Sequence, residues 1–132
     1  MVRLLLDQKQ LVIELSAIER RVAMRRTSLT IPRASIERVN LTDDPWTWLR
    51  GVRRPGTHIP GQIAAGTWQR TAGRDFVMLR RRHHDGVVIT LAPGEEFQRV
   101  ILSTSHATAL VDALQHDDVE AQTNVTDIAD HA

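Results

Sequence analysis

Leu11, Ile13 and Leu15 fall two residues apart, with Val12 and Glu14 between them, the period of a strand with one buried face. Residues 3–6 can pair with that strand through the polar connection Asp7-Gln8-Lys9-Gln10, so the chain is predicted to open with a β-hairpin. Ser16 and Glu19 then make an S-x-x-E capping box, and Leu15, Ile18 and Val22 recur at helical spacing. This predicts a short helix over residues 17–25 with Arg20, Arg21, Arg25 and Arg26 mostly on its wet side. Leu29 and Ile31 predict a strand that Pro32 ends or forces to a sheet edge, and Ile36, Val39 and Leu41 resume the extended pattern. Asp44 is suited to cap a one-turn helix with Pro45 in its first position, Gly51 to close it, and Trp46 and Trp48 to cover an end of the core.

Residues 50–61, RGVRRPGTHIPG, contain two Pro-Gly steps, Pro55-Gly56 and Pro60-Gly61, each suited to a type II turn, and predict a shaped loop. Residues 63–68 and 76–79 then read as a hairpin around residues 71–75. Strands over 87–91 and 99–102 follow, with Pro93-Gly94 turning between them, so four consecutive antiparallel strands are expected as a meander. After Ser103-Thr104-Ser105, any of which can cap, Ala107, Leu110, Val111 and Leu114 form the clearest helical stripe in the chain. Residues 1–116 therefore read as one domain, and residues 117–132 as an acidic tail, either disordered or docked through Val119, Val125 and Ile128.

Strands throughout and an amphipathic helix at the end predict an α+β domain: a strongly bent antiparallel sheet or barrel plugged by its C-terminal helix, with a short helix after the first hairpin. The segments IPRASIERV, DPWTWLRGVRRPGTHIPGQIAAGTW, GRDFVML, VVITL and FQRVILSTS resemble short actinobacterial proteins with a pleckstrin-homology-like (PH-like) domain. The resemblance covers residues 11–114, and the turn spacing in RGVRRPGTHIPG is its most specific part. It implies a PH-like fold and carries over no catalytic residue.

At 132 residues the chain can bury a core without staples, and the absence of cysteine removes thiolate metal sites, disulfides and cysteine nucleophiles. The opening MVRLLLD meets a charge too early for a signal-peptide core, and no segment approaches the length of a membrane span, so a cytoplasmic location is expected. Charge is asymmetric. All 17 Lys and Arg precede residue 103, together with 10 acidic residues, while residues 103–132 carry 6 acidic residues and no Lys or Arg. Lys9 is the one lysine; arginine-favouring codons of a G+C-rich genome account for that more simply than a need for guanidinium forks.

The chemistry this pattern offers is that of binding. Arg50, Arg53, Arg54 and His58 surround glycine-rich backbone at Gly51, Gly56 and Gly61, where turn N–H groups and guanidiniums suit a phosphate or carboxylate. Pro-Gly turns also serve simply to fix a crossover. Arg80-Arg81-Arg82-His83-His84-Asp85 offers cations to a lipid head group, with Arg80 and Arg82 on one face, or acts as a solvated gatekeeper against edge pairing. Adjacent His83 and His84 point apart on a strand and lack a third ligand at a recognised spacing, so no metal or other cofactor is expected. Ser103, Ser105 and His106 read as capping residues, and Asp43-Asp44 and Glu95-Glu96 as turn carboxylates. GxSxG, SxxK, GxxxxGK[ST] and GxGxxG are all absent. Five aromatic rings, no Tyr, and a last helix without Lys or Arg but with Asp112 argue against nucleic acid. The expectation is a non-enzymatic binding or scaffolding module, for a protein partner or its own copy, with an anionic lipid head group or small anion at the Arg-rich segment as the alternative.

Overall fold

A computed structural model describes residues 3–81, 85–104, 106–115 and 123–124. The opening hairpin forms as β1 (Arg3–Leu6) and β2 (Gln10–Glu14), with the Asp7 carboxylate accepting from the Lys9 and Gln10 amides to close the turn. Next comes α1 (Ala17–Ala23). Its capping box is complete: Ser16 Oγ accepts from the Glu19 amide and the Glu19 carboxylate accepts from the Ser16 amide. Met24, at φ 56°, stops the helix in a left-handed cap. Leu15 is buried and Val22 packs against the core as its spacing predicts, but Ile18 is 69% exposed and the fully buried positions within α1 are Glu19 and Ala23. Thr57 explains the docking: its Oγ1 donates to the Val22 carbonyl and ties the last turn of α1 to the strand beside it.

β3 (Leu29–Pro32) pairs with β2 and ends in proline at the sheet edge, as its sequence requires. With β10 (Thr123–Asn124) on the far side of β1, these strands make a four-stranded sheet. Val119, Val125 and Ile128, the residues expected to dock the tail, lie outside the described residues.

The second sheet holds β4 (Ile36–Thr42), β5 (Val52–Ile59), β6 (Ile63–Arg70), β7 (Gly73–Arg80), β8 (Gly86–Leu91) and β9 (Arg99–Ser103) in the order β4-β8-β9-β7-β6-β5. Two expectations are corrected here. Most of RGVRRPGTHIPG is not a loop but edge strand β5. A register shift between Arg53 and Gly56 absorbs the proline, which has no N–H to offer a ladder and is tolerated at an edge. Nor do the last four strands form a meander, because β9 inserts between β8 and β7 and runs parallel to β7. Val100, Ile101 and Leu102 are an unbroken apolar run, all fully buried. Such a strand needs cover on both faces and a neighbour on each side, which the end of a meander would not provide.

The two sheets are not closed into a barrel. Leu4, Leu6, Leu11, Ile13, Leu29 and Ile31 of the smaller sheet share one core with Phe76, Met78, Val87, Ile89, Val100 and Leu102 of the larger, and Leu110 of α2 (Ala107–Gln115) plugs it. The larger sheet has a second apolar face. Ala64, Trp68, Val77, Leu79, Val88 and Ile101 are covered from outside by Trp46, Trp48 and Leu49. Trp46 and Trp48 lie in the expected one-turn helix, here a 3₁₀ turn over Pro45–Trp48 that closes at Leu49 and not at Gly51, with Asp44 Oδ1 accepting from the Trp46 amide at 3.2 Å. Gly86 makes room for that lid, since a Cβ there would stand 2.7 Å from Cγ of Pro45. No helix among the described residues is long and apolar enough to cross a membrane.

Candidate functional site

Alternation on the six strands aligns one row of side chains across the outer face of the larger sheet. Cross-strand pairing runs Arg38 to Thr90, Thr90 to Arg99, Arg99 to Asp75, Asp75 to Trp68 and Trp68 to Arg53. The lid covers Trp68 in this row and reaches Arg99 through Trp48, and polar residues take over where the apolar cover ends. Asp75 is fully buried at its centre. Its Oδ2 accepts from Nε of Arg70 at 2.8 Å and from Nε and Nη2 of Arg99 at 3.2 and 2.7 Å, while Oδ1 accepts from Nη2 of Arg70 at 3.1 Å. Four charge-assisted hydrogen bonds converge on one carboxylate, three of them on Oδ2.

The two guanidiniums are anchored further. Arg70 Nη2 also donates to Gln98 Oε1, and Arg99 Nη2 to the Trp48 carbonyl at 3.1 Å, with the Arg99 guanidinium 5.9 Å from the centre of the Trp48 ring. Each therefore has Nε and Nη2 engaged, and Nη1 makes no hydrogen bond among the described residues. Their side chains keep 20% and 15% of their surface in contact with solvent. That solvent fills a cleft of about 330 Å³ lined by Arg38, Asn40, Trp48, Arg70, Thr90, Gln98 and Arg99. Arg38, exposed on edge strand β4, makes no hydrogen bond or ion pair among the described residues. The cleft has three arginines on its wall and no acidic residue among the described residues.

The residues singled out from sequence are dispersed. Arg50 is exposed and donates through Nη1 to the Thr47 and Leu49 carbonyls at 2.7 and 2.9 Å, serving its own turn. Arg53 and Arg54 are exposed on β5, Arg53 at the far end of the Asp75 row and Arg54 inside the register shift. Gly56 pairs with Gly66, and its φ of 154° and the nearness of the Ala65 carbonyl leave no room for a Cβ, so its role is close strand approach. His58 stacks edge-on to Trp68 at 5.8 Å and lies 6.4 Å from Trp46; Gly61, at φ 75°, sits in the β5–β6 turn. Arg80 is half-buried at the end of β7, its amide donating to Ser103 Oγ at 3.2 Å. Arg82, His83 and His84 lie outside the described residues.

Arg38, Arg70, Asp75 and Arg99 were not singled out by motif or spacing, yet the alternation carries a signal. Asp75 is in phase with Val77 and Leu79, and Arg99 with Ile101, so on each of two buried strands a charge occupies a position whose phase is apolar. Opposite charges in such positions suit a buried pair. Comparison with protein families, curated proteins and solved structures finds no match to this chain.

Proposed function

We propose that the chain is a cytoplasmic, non-enzymatic binding module of PH-like type that recognises a small anionic group in the cleft on the outer face of its larger sheet. One observation carries the reading: three arginines line a single 330 Å³ cleft whose lining contains no acidic residue among the described residues. Binding is favoured over catalysis because Asp75, the carboxylate beside the cleft, is fully buried and ion-paired to both Arg70 and Arg99, which makes it a fixed counter-charge and not a base open to a substrate. A sheet-rich body with α2 set over the core after β9 supports the PH-like part. The test is a titration with inorganic phosphate and with acetate, following the backbone amides of Arg38, Thr90 and Arg99 by NMR. Saturable shifts that weaken with added salt and are lost in Arg38→Ala support it; shifts confined to Arg50, Arg53 and Arg54, or absent, reject it.

A second reading, association with a protein partner or another copy of the chain, draws on the open sheet edges. Val52 and Ile59 on β5 are 65% and 53% exposed, and Leu41 on β4 is also exposed. The register shift and charged residues on β5 blunt strand pairing, which ranks this reading second. Sedimentation unchanged from micromolar to millimolar protein rejects self-association.

A further inference from the structure

The cleft's charge and donor arrangement specify more than an anion. Resting on the reading above, we propose that its ligand is a phosphate monoester in its dianionic form, bound by Arg38, Arg70 and Arg99 together. Among the described residues, three guanidiniums and the carboxylate Asp75 leave a net charge of +2, with Arg70 and Arg99 mostly buried and Arg38 exposed. A monoanion would neutralise half of it; a phosphate monoester carries nearly two charges at neutral pH.

The donors also come from three separate strands, Arg38 from β4, Arg70 from β6 and Arg99 from β9. A planar carboxylate is satisfied by one guanidinium fork. Three terminal phosphate oxygens call on donors from several directions, and the Nη1 groups of Arg70 and Arg99 with the whole fork of Arg38 are the ones left over. The other polar lining supports the same choice. Gln98 has its carbonyl oxygen committed to Arg70, so what it has left to offer a ligand is its amide N–H, and Asn40 and Thr90 add donors from β4 and β8. Asp75 is fully buried and ion-paired to Arg70 and Arg99, which screens its charge from the ligand. The Trp48 ring, beside Arg99 at the lid's end, gives the esterified part of the molecule an apolar wall.

The experiment compares methyl phosphate, methyl sulfate and acetate at constant ionic strength, using ¹⁵N spectra of the full chain and reading the Arg70 and Arg99 Nε–H signals with the Arg38 and Thr90 amides. Methyl phosphate is expected to bind about tenfold or more tightly than either monoanion, the worth of one added charge-assisted hydrogen bond. Arg38→Ala, an exposed substitution that leaves the fold intact, should bring it down to the level of methyl sulfate. Equal affinities for all three overturn the dianion assignment while leaving the anion cleft standing; no perturbation of cleft signals by any of them overturns both. Two vesicle arms identify the source of the phosphate. Capture by phosphatidylinositol 4-phosphate vesicles but not by phosphatidylserine vesicles, with methyl phosphate competing, supports a lipid head group. Binding of methyl phosphate with capture by neither vesicle supports a soluble phosphomonoester.

Discussion

Asp75→Asn isolates what the buried carboxylate does. The substitution keeps the shape of the side chain, removes its charge, and turns an amide N–H₂ toward guanidiniums that can only donate. Asp75 accepts four hydrogen bonds at 2.7–3.2 Å with none of its side chain exposed. Removing one partner of a buried ion pair costs about 3–5 kcal/mol, chiefly because the other charge is left uncompensated. Arg70 and Arg99 retain 20% and 15% exposure along the cleft, so they recover some hydration, and the lower end, about 3 kcal/mol, is expected. For a chain of 132 residues that corresponds to a fall in Tm of roughly 10 °C. Urea melts followed by tryptophan fluorescence should show the midpoint lowered with an unchanged slope. The combined variant Arg70→Met, Asp75→Val, Arg99→Met removes all three charges together and should be more stable than Asp75→Asn alone. A loss below about 1 kcal/mol for Asp75→Asn, or a combined variant weaker than the single one, would refute the claim that the carboxylate compensates both cations.

Gly86→Ala places a Cβ against the backbone carbonyl of Leu102 on β9 as well as against Pro45 at 2.7–2.8 Å and should cost about 1–3 kcal/mol by overpacking, with tryptophan emission shifted to the red where the lid gives way; an unshifted spectrum with the stability loss intact would place the strain in the β8–β9 pair. Arg25 lies 5.6 and 5.4 Å from the ring centres of Phe76 and Phe97 and 3.3 Å from an exposed Glu96 carboxylate. Arg25→Ala should therefore cost about 1 kcal/mol or more in urea melts, and Glu96→Gln no more than a few tenths; the reverse order would mean that the ion pair, not the ring contact, holds Arg25.

The parts of the fold written in local periodicity were legible. The opening hairpin, the capped α1, the Asp44-Pro45 turn, the hairpin of β6 and β7, and α2 follow from alternation, capping chemistry and helical spacing. What escaped depended on partners distant in sequence. Pro-Gly steps at residues 55–56 and 60–61 have the same local chemistry whether they shape a loop or interrupt an edge strand, and only the neighbouring β6 decides. Likewise, Pro93-Gly94 turns β8 into β9 in either topology, and the burial of Val100, Ile101 and Leu102 on both sides determines that β9 goes between β8 and β7. The parallel register of β9 on β7 then brings Arg99 beside Asp75 across 24 positions of sequence, a meeting invisible until the strand order is known.

The cleft follows from that order too. An open six-stranded sheet with a second apolar face needs a cover, and the Pro45–Trp48 turn is long enough to shield Trp68, Val77, Leu79, Val88 and Ile101 but leaves Arg38, Asn40 and Thr90 on the wall of the cleft. At that border the sheet has to end in something wettable. Asp75, Arg70 and Arg99 meet the need with one carboxylate shared by two cations, and apolar residues under a longer lid would have met it at no greater cost in stability. The fold accounts for those three as a group. It does not account for Arg38, which stands in line with Arg99 on an open edge, without a hydrogen bond or ion pair among the described residues, and adds a third positive charge where two are already only half compensated. Self-repulsion makes such a placement mildly unfavourable for the isolated protein. A ligand that brings negative charge reverses the sign, so Arg38→Ala should leave the unliganded fold unchanged or slightly stabilised while weakening anion binding, opposite effects that no purely structural role for Arg38 produces.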